Sequence, residues 1–191
     1  MSLFTKIALA TSVLLAVGCG IAASSANTTE RANTTDLKAL APAAEPVGEP
    51  LKGTQTAVFA GGCFWGVEAV FENVKGVSGA KSGYSGGDAR TAKYEEVSSG
   101  DTTHAESVLV TFDPTKVTYT QLLSVFFSVA HDPTEVNRQG PDTGPQYRSA
   151  IFYTDAAQTK AAEDYIKAID AAKVFAKPVA TKLAPLVKFY D

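Results

Sequence analysis

The sequence is short of thiols and imidazoles. Its 191 residues include two cysteines, Cys19 and Cys63, and two histidines, His104 and His131. No cysteine pair stands at zinc-ligand spacing, which excludes a zinc module. No lysine–arginine cluster is present and the formal net charge is −3, so the chain offers nucleic acid no basic footprint. The apolar run from Ile7 to Val17 is too short and too interrupted for a membrane span. No internal repeat is visible, so the chain does not read as a repeat array.

What is present begins at the N-terminus. Lys6 precedes the apolar run, and small residues follow through Ala23-Ser24-Ser25-Ala26. Residues 1–26 therefore read as a secretory signal. Ala16-Val17-Gly18-Cys19 also resembles a bacterial lipoprotein cleavage box, with alanine where leucine is usual, so lipid attachment at Cys19 is a second reading and an uncleaved anchor a third. Each expectation places the domain across the inner membrane, either periplasmic or lipid-anchored. Residues 27–52 are rich in Asn, Thr, Ala, Glu and Pro, with Pro42, Pro46 and Pro50 spaced through the end, and read as a disordered linker. Asn27 and Asn33 match glycosylation sequons, as short Asn/Thr-rich stretches do by chance.

The domain is expected from residue 53 to 191, long enough for one core. A strand over 55–60 leads into Gly61-Gly62-Cys63-Phe64-Trp65-Gly66 and then an apolar-periodic helix with Val67, Val70, Phe71 and Val74. A Gly-rich strand over 77–84, a short turn or helical piece at 94–97 and an alternating strand over 104–112 follow. Thr118 and Gln121 form a capping box for a helix whose apolar face is Leu122, Leu123, Phe126, Phe127 and Val129, ending before Pro133. A polar loop over 131–146, a strand over 148–153, an Ala-rich helix from Asp155 to about Lys173 and a weak strand over 178–183 complete the chain. This order is the split β-α-β arrangement of a ferredoxin-like α+β domain, a two-layer sandwich with extensions, its helices on one face of a mixed sheet.

Cys63 is expected in the first turn of its helix, facing unpaired N–H groups and the positive end of the helix dipole. Both favour the thiolate, which is the nucleophile. Phe64 and Trp65, the single tryptophan, set two apolar faces beside the sulfur. If Cys19 is removed or lipidated, Cys63 is left unpaired in a compartment that allows disulfides, which points to a reactive thiol; a buried, inert cysteine is the alternative.

In the alternating strand Glu106 shares parity with Val108, Val110 and Phe112. A carboxyl on that apolar face would have a raised pKa and could serve as a proton donor. If the strand instead starts after Glu106, the carboxylate is simply solvated. His104 and His131 raise a Cys–His hydrolase or acyltransferase as an alternative, each also reading as a surface or capping histidine. The loop from Arg138 to Arg148 is either functional or a solvated connector. A non-catalytic, secreted binding domain is the third alternative.

Gly62-Cys63-Phe64-Trp65-Gly66 resembles the signature of the A-type peptide methionine sulfoxide reductases. The resemblance extends in order through Gly83-Tyr84-Ser85-Gly86-Gly87, Tyr94-Glu95-Glu96-Val97, Gly100 to Glu106, His131-Asp132-Pro133-Thr134, and Arg138 to Ile151, and it fades over the last forty residues or so. It implies a ferredoxin-like core that reduces the S-epimer of methionine sulfoxide, free or in proteins, and so repairs oxidative damage. By position Cys63 would attack the sulfoxide sulfur, and Phe64 and Trp65 would hold the S-methyl group. Glu106 would protonate the oxygen, Tyr94 and Tyr147 would donate hydrogen bonds to it, and Asp142 would hold the site and its water. No metal or bound cofactor is implied. The reaction would leave a sulfenic acid on Cys63, to be returned by an external thiol: a thioredoxin-like protein or a small thiol. Many relatives carry a resolving cysteine, often near the C-terminus. No cysteine follows Cys63 here, and Ser98 stands where some relatives have one. Either an external thiol acts directly or the sequence is truncated. A monomer is expected.

Overall fold

The computed structural model describes residues 53–191, so the signal, the linker and Cys19 lie outside the described residues. The elements in order are β1 (Gln55–Gly61), α1 (Phe64–Glu72), β2 (Val77–Ser85), α2 (Tyr94–Ser98), β3 (Ala105–Phe112) and α3 (Tyr119–Val125). They continue with β4 (Arg138–Gln139), β5 (Asp142–Thr143), β6 (Ser149–Tyr153), α4 (Ala156–Ala171), β7 (Lys182–Pro185) and β8 (Phe189–Tyr190).

Six strands form one sheet in the order β7-β6-β1-β3-β2-β8. β3 lies between β1 and β2 and runs antiparallel to both, and β6 pairs antiparallel with the other side of β1. The inner four strands thus have the order of a split β-α-β unit, the expected ferredoxin-like core. β7 adds parallel to β6 and β8 antiparallel to β2, which makes the sheet mixed.

Parity decides the two faces. Ala57 and Phe59 from β1, Val108, Val110 and Phe112 from β3, and Ile151 from β6 pack with Phe64, Val67 and Phe71 of α1, Leu122 and Leu123 of α3, and Ala162, Tyr165 and Ile169 of α4. The opposite face carries a smaller cluster of Val58, Ala60, Ala105, Ala150 and Phe152. The large core is aromatic at its centre: Phe59 stacks with Phe71 and with Phe126, both at 4.9 Å between centroids. Such offset pairs add to area burial.

Local signals set the helix ends. Thr118 Oγ1 accepts from Gln121 N at 3.2 Å while Gln121 Oε1 accepts from Thr118 N at 2.8 Å, the capping box expected from the sequence. Asp155 caps α4 by accepting from Gln158 N at 2.8 Å. Past α3 the helix widens into a π turn over Phe126–Ala130. Phe126 and Phe127 stay buried, but Val129, expected on the apolar face, is exposed because the wider turn carries it outward.

The C-terminal segment differs from expectation. The last-but-one strand forms at Lys182–Pro185, not over 178–183. Pro178 has no N–H to give, Val179 N donates to Asp170 Oδ1 at 2.9 Å, and Ala180 N donates to Pro133 O at 2.7 Å, so these residues are committed elsewhere. The polar loop is also more ordered than a connector: it contains the β4–β5 hairpin and a 3₁₀ turn at Pro145–Tyr147.

Candidate active site

Cys63 ends the turn between β1 and α1. It is the N-cap residue of α1 (φ −54°, ψ 118°) rather than a residue of the first turn, and its carbonyl accepts from Gly66 N at 3.1 Å. The side chain is half-buried and free. Gly62 makes the turn with φ +97°, and a Cβ there would lie 2.6 Å from Cβ and Cγ of Gln139, so this position accepts no side chain. Gln139 is itself fixed: its amide accepts from Asp132 N at 3.0 Å and donates to Asp132 O at 3.1 Å. The turn carrying the thiol is therefore wedged between β1 and the loop.

Phe64, buried, and Trp65, 63% exposed, follow with ring centroids 5.5 Å apart. They form an apolar floor and an open rim. Tyr84 completes the floor, 5.7 Å from Phe64 between centroids. It was not singled out from the sequence. Its register partner on the neighbouring strand is Glu106, and that pairing was the signal available.

Glu106 is in the strand and on the core face, 4% exposed, so β3 begins before it and the solvated reading fails. Its Oε2 accepts from Phe64 N at 2.9 Å. Phe64 is the first residue of α1, so this bond satisfies one of the helix's orphan donors and fastens the carboxyl beside Cys63. Burial pushes the Glu106 carboxyl up; the Phe64 N–H pulls it down less strongly, and the nearby Asp142 charge adds to the rise. The net direction is up, toward the protonated acid.

Three further groups converge on the same corner. The Tyr147 hydroxyl is pushed up first by partial burial, then by the charges of Glu106, Asp142, Cys63 and Tyr94 around it. Tyr94, 51% exposed, opens α2 and bears on Tyr84 together with Glu106. Asp142 stands on the short strand β5. The seven residues anticipated from the sequence thus come from five places in the chain, Cys63, Phe64 and Trp65 together at the start of α1 and the other four from α2, β3, β5 and the 3₁₀ turn, to one corner of the fold.

His104 is not at the surface, contrary to expectation, whereas His131 caps the π turn, the second reading given to it. His104 is fully buried; its Nε2 meets the Asp88 carbonyl at 2.9 Å, so this nitrogen carries the proton. His131 Nδ1 donates to Phe126 O at 3.0 Å, which leaves Nε2 to accept from Ser149 Oγ at 2.7 Å. Burial holds the His131 imidazole down at about 4, well under 6.5, and its ring lies 4.1 Å from that of Phe126. Neither ring hydrogen-bonds to Cys63: His104 engages Asp88 O, and His131 engages Phe126 O and Ser149, which weighs against a Cys–His hydrolase. Among the described residues no group of three or more His, Cys, Asp or Glu side chains could hold a metal ion.

Comparison with known proteins follows the same lines. The family model described as peptide methionine sulfoxide reductase matches residues 55–191. The chain is 56% identical over 138 residues to peptide methionine sulfoxide reductase MsrA 2 of Mesorhizobium japonicum, covering 72% of this chain and 71% of that one. It is 52% identical over 145 residues to the MsrA 2 of Synechocystis, covering 76% and 68%. Among solved structures it resembles reduced Mxr1 of Saccharomyces cerevisiae, with a TM-score of 0.68, 30% identity, and coverage of 77% of this chain and 84% of that one. The thiol at a strand-to-helix turn, the buried carboxyl on the adjoining strand and these likenesses agree: the chain belongs to the A-type peptide methionine sulfoxide reductase family, enzymes that are oxidoreductases.

Proposed function

We propose that Cys63 reduces the S-epimer of methionine sulfoxide, free or in proteins, with Glu106 as the acid. The single observation that carries this is the bond from Phe64 N to Glu106, which seats a carboxyl of raised pKa beside the only thiol of residues 53–191. Sulfoxide oxygen leaves poorly until protonated, so the nucleophile alone is not enough. The Cys63 thiolate attacks the sulfoxide sulfur while the Glu106 proton passes to the oxygen. Tyr94 and Tyr147 hydroxyls donate hydrogen bonds to that oxygen as charge develops on it. Phe64 and Trp65 hold the S-methyl group, and Asp142 orders the polar side of the mouth. The sulfur–oxygen bond breaks, the protonated oxygen passes to Cys63 Sγ as the new bond between the two sulfurs breaks, methionine leaves reduced by two electrons, and Cys63 is left oxidised by two as a sulfenic acid with Glu106 as the carboxylate.

One thiol then condenses with the sulfenic acid, releasing water and forming a mixed disulfide; a second thiol frees Cys63. Residues 53–191 contain no second cysteine, so within them both thiols come from outside. A thioredoxin-like protein or a small thiol fits this role; yeast Mxr1 has been solved in complex with Trx2. We further propose that residues 1–26 direct export, to the periplasm or to a lipid anchor at Cys19, which the mass of the mature N-terminus recovered from cells would decide.

Turnover of the two sulfoxide epimers with a dithiol tests the activity. Loss of the S-epimer alone is expected, and none with Cys63→Ser. Consumption of the R-epimer, or equal rates in both proteins, would overturn the reading. An acyl adduct on Cys63 would favour a hydrolase instead.

A further inference from the structure

Arg148 follows Tyr147 and has no carboxylate partner among the described residues. Its guanidinium binds carbonyls only. Nη1 donates to His104 O at 2.9 Å and to Pro145 O at 2.8 Å, and Nη2 donates to Thr103 O at 2.8 Å. These acceptors belong to two segments. Thr103 and His104 lead directly into β3, where Glu106 stands two residues on. Pro145 opens the 3₁₀ turn that carries Tyr147.

The seat for this cation is built. Gly86 has φ +87°, and a Cβ there would come within 3.0 Å of Arg148 Nη2 and 3.1 Å of the Phe152 ring. His104, whose carbonyl Arg148 grips, is itself locked by Asp88 O and by edge contacts with the Tyr84 and Tyr190 rings at 6.0 and 5.5 Å. On the other side of Tyr147, Gln146 Nε2 donates to Ser98 O at 3.3 Å, at the end of the short helix that begins with Tyr94. The turn at 145–148, which carries Tyr147, thus reaches both α2, which bears Tyr94, and the segment leading into β3, which bears Glu106.

We propose that Arg148 is a positioning residue: by binding the carbonyls of Thr103, His104 and Pro145 together, it fixes the distance between Glu106 and Tyr147 and holds Glu106 in its buried seat. The proposal rests on the role given above to Glu106. Its chemistry is specific to arginine. A planar fork of donors spans three carbonyls, whereas a lysine ammonium is a compact point that cannot. Arg148 also spends its charge on neutral carbonyls. Paired instead with Glu106, it would stabilise the carboxylate and remove the acid the reaction needs.

The test compares Arg148→Lys and Arg148→Met with the full wild-type chain. Three readouts are needed: thermal unfolding, kcat and KM for the S-epimer, and the titration of a ¹³C-labelled Glu106 carboxyl. In a folded variant kcat is expected to fall about ten- to a hundredfold, the cost of roughly 1 Å of misplacement, with KM little changed. The Glu106 titration is expected to move down as water enters. Arg148→Lys, which keeps the charge, is expected to behave like Arg148→Met; if the methionine variant fails to fold, the lysine variant decides. Wild-type kcat in a folded variant, or a fall in kcat with the Glu106 titration unmoved, overturns the proposal. If the wild-type chain does not turn over the sulfoxide, the catalytic reading fails, while the titration still reports whether Arg148 seats Glu106.

Discussion

Glu106 stands under opposed influences. Its burial favours the neutral acid, while the Phe64 N–H favours the carboxylate. Burial is the larger, so the folded pKa lies above 4.5. Protonated Glu106 is present below that raised value and is lost as pH rises through it. The acid-dependent rate should fall over the same range, and Glu106→Gln should remove that limb. A single-turnover assay is expected to show a loss of about 10²- to 10⁴-fold in this variant, with alkylation of Cys63 by iodoacetamide unchanged. At this scale much was legible, because alternation alone places Glu106 with Val108, Val110 and Phe112. The burial of His104 was hidden for the converse reason, while His131 takes the capping place expected of it. A lone histidine carries no periodicity, and the carbonyls of Asp88 and Phe126 that engage them become visible only once the chain is folded.

The start of α1 positions the Cys63 thiol as β3 positions the Glu106 carboxyl. Cys63 caps the helix, Phe64 N reaches across to Glu106, and Gly62 lets Gln139 lie against the turn. Gly62→Ala puts a Cβ at a positive φ and into Gln139, which Asp132 holds in place. A loss on the order of 2 kcal/mol is expected from chemical denaturation. Activity should drop beyond the unfolded fraction, since the misplaced residue adjoins Cys63, the nucleophile proposed above. The long elements were legible: the 3.6-residue spacing of α1, the capping box at Thr118 and the Asp155 cap locate helices directly. The two-residue strands β4, β5 and β8 were not, because so few residues carry no period. The shift of the strand near Pro178 was hidden too, since it depends on acceptors from Asp170 and Pro133.

Across the described residues, one sheet carries Glu106 and packs on the helix that Cys63 caps, with the large core beneath them. Met1 is the single methionine of the chain, so residues 53–191 hold no target for the oxidation they reverse. The core near β6 also sets a pH response. His131 is neutral in the fold, with a pKa of about 4 against 6.5 when unfolded. Between those values the unfolded chain binds the extra proton, so this contribution is full above 6.5 and is lost as pH falls toward 4. It amounts to on the order of 3 kcal/mol at most. Denaturant midpoints should decline across that window, and His131→Gln should flatten the decline.

The most direct measurement omits the reductant. The full chain is mixed with excess methionine (S)-sulfoxide, released methionine is counted, and Cys63 is trapped with dimedone and weighed by mass spectrometry. One methionine per chain and one dimedone adduct on Cys63 are expected, both abolished in Cys63→Ser. Release of methionine without an adduct on Cys63, or no release at all from folded protein, would contradict a reductase that works through Cys63.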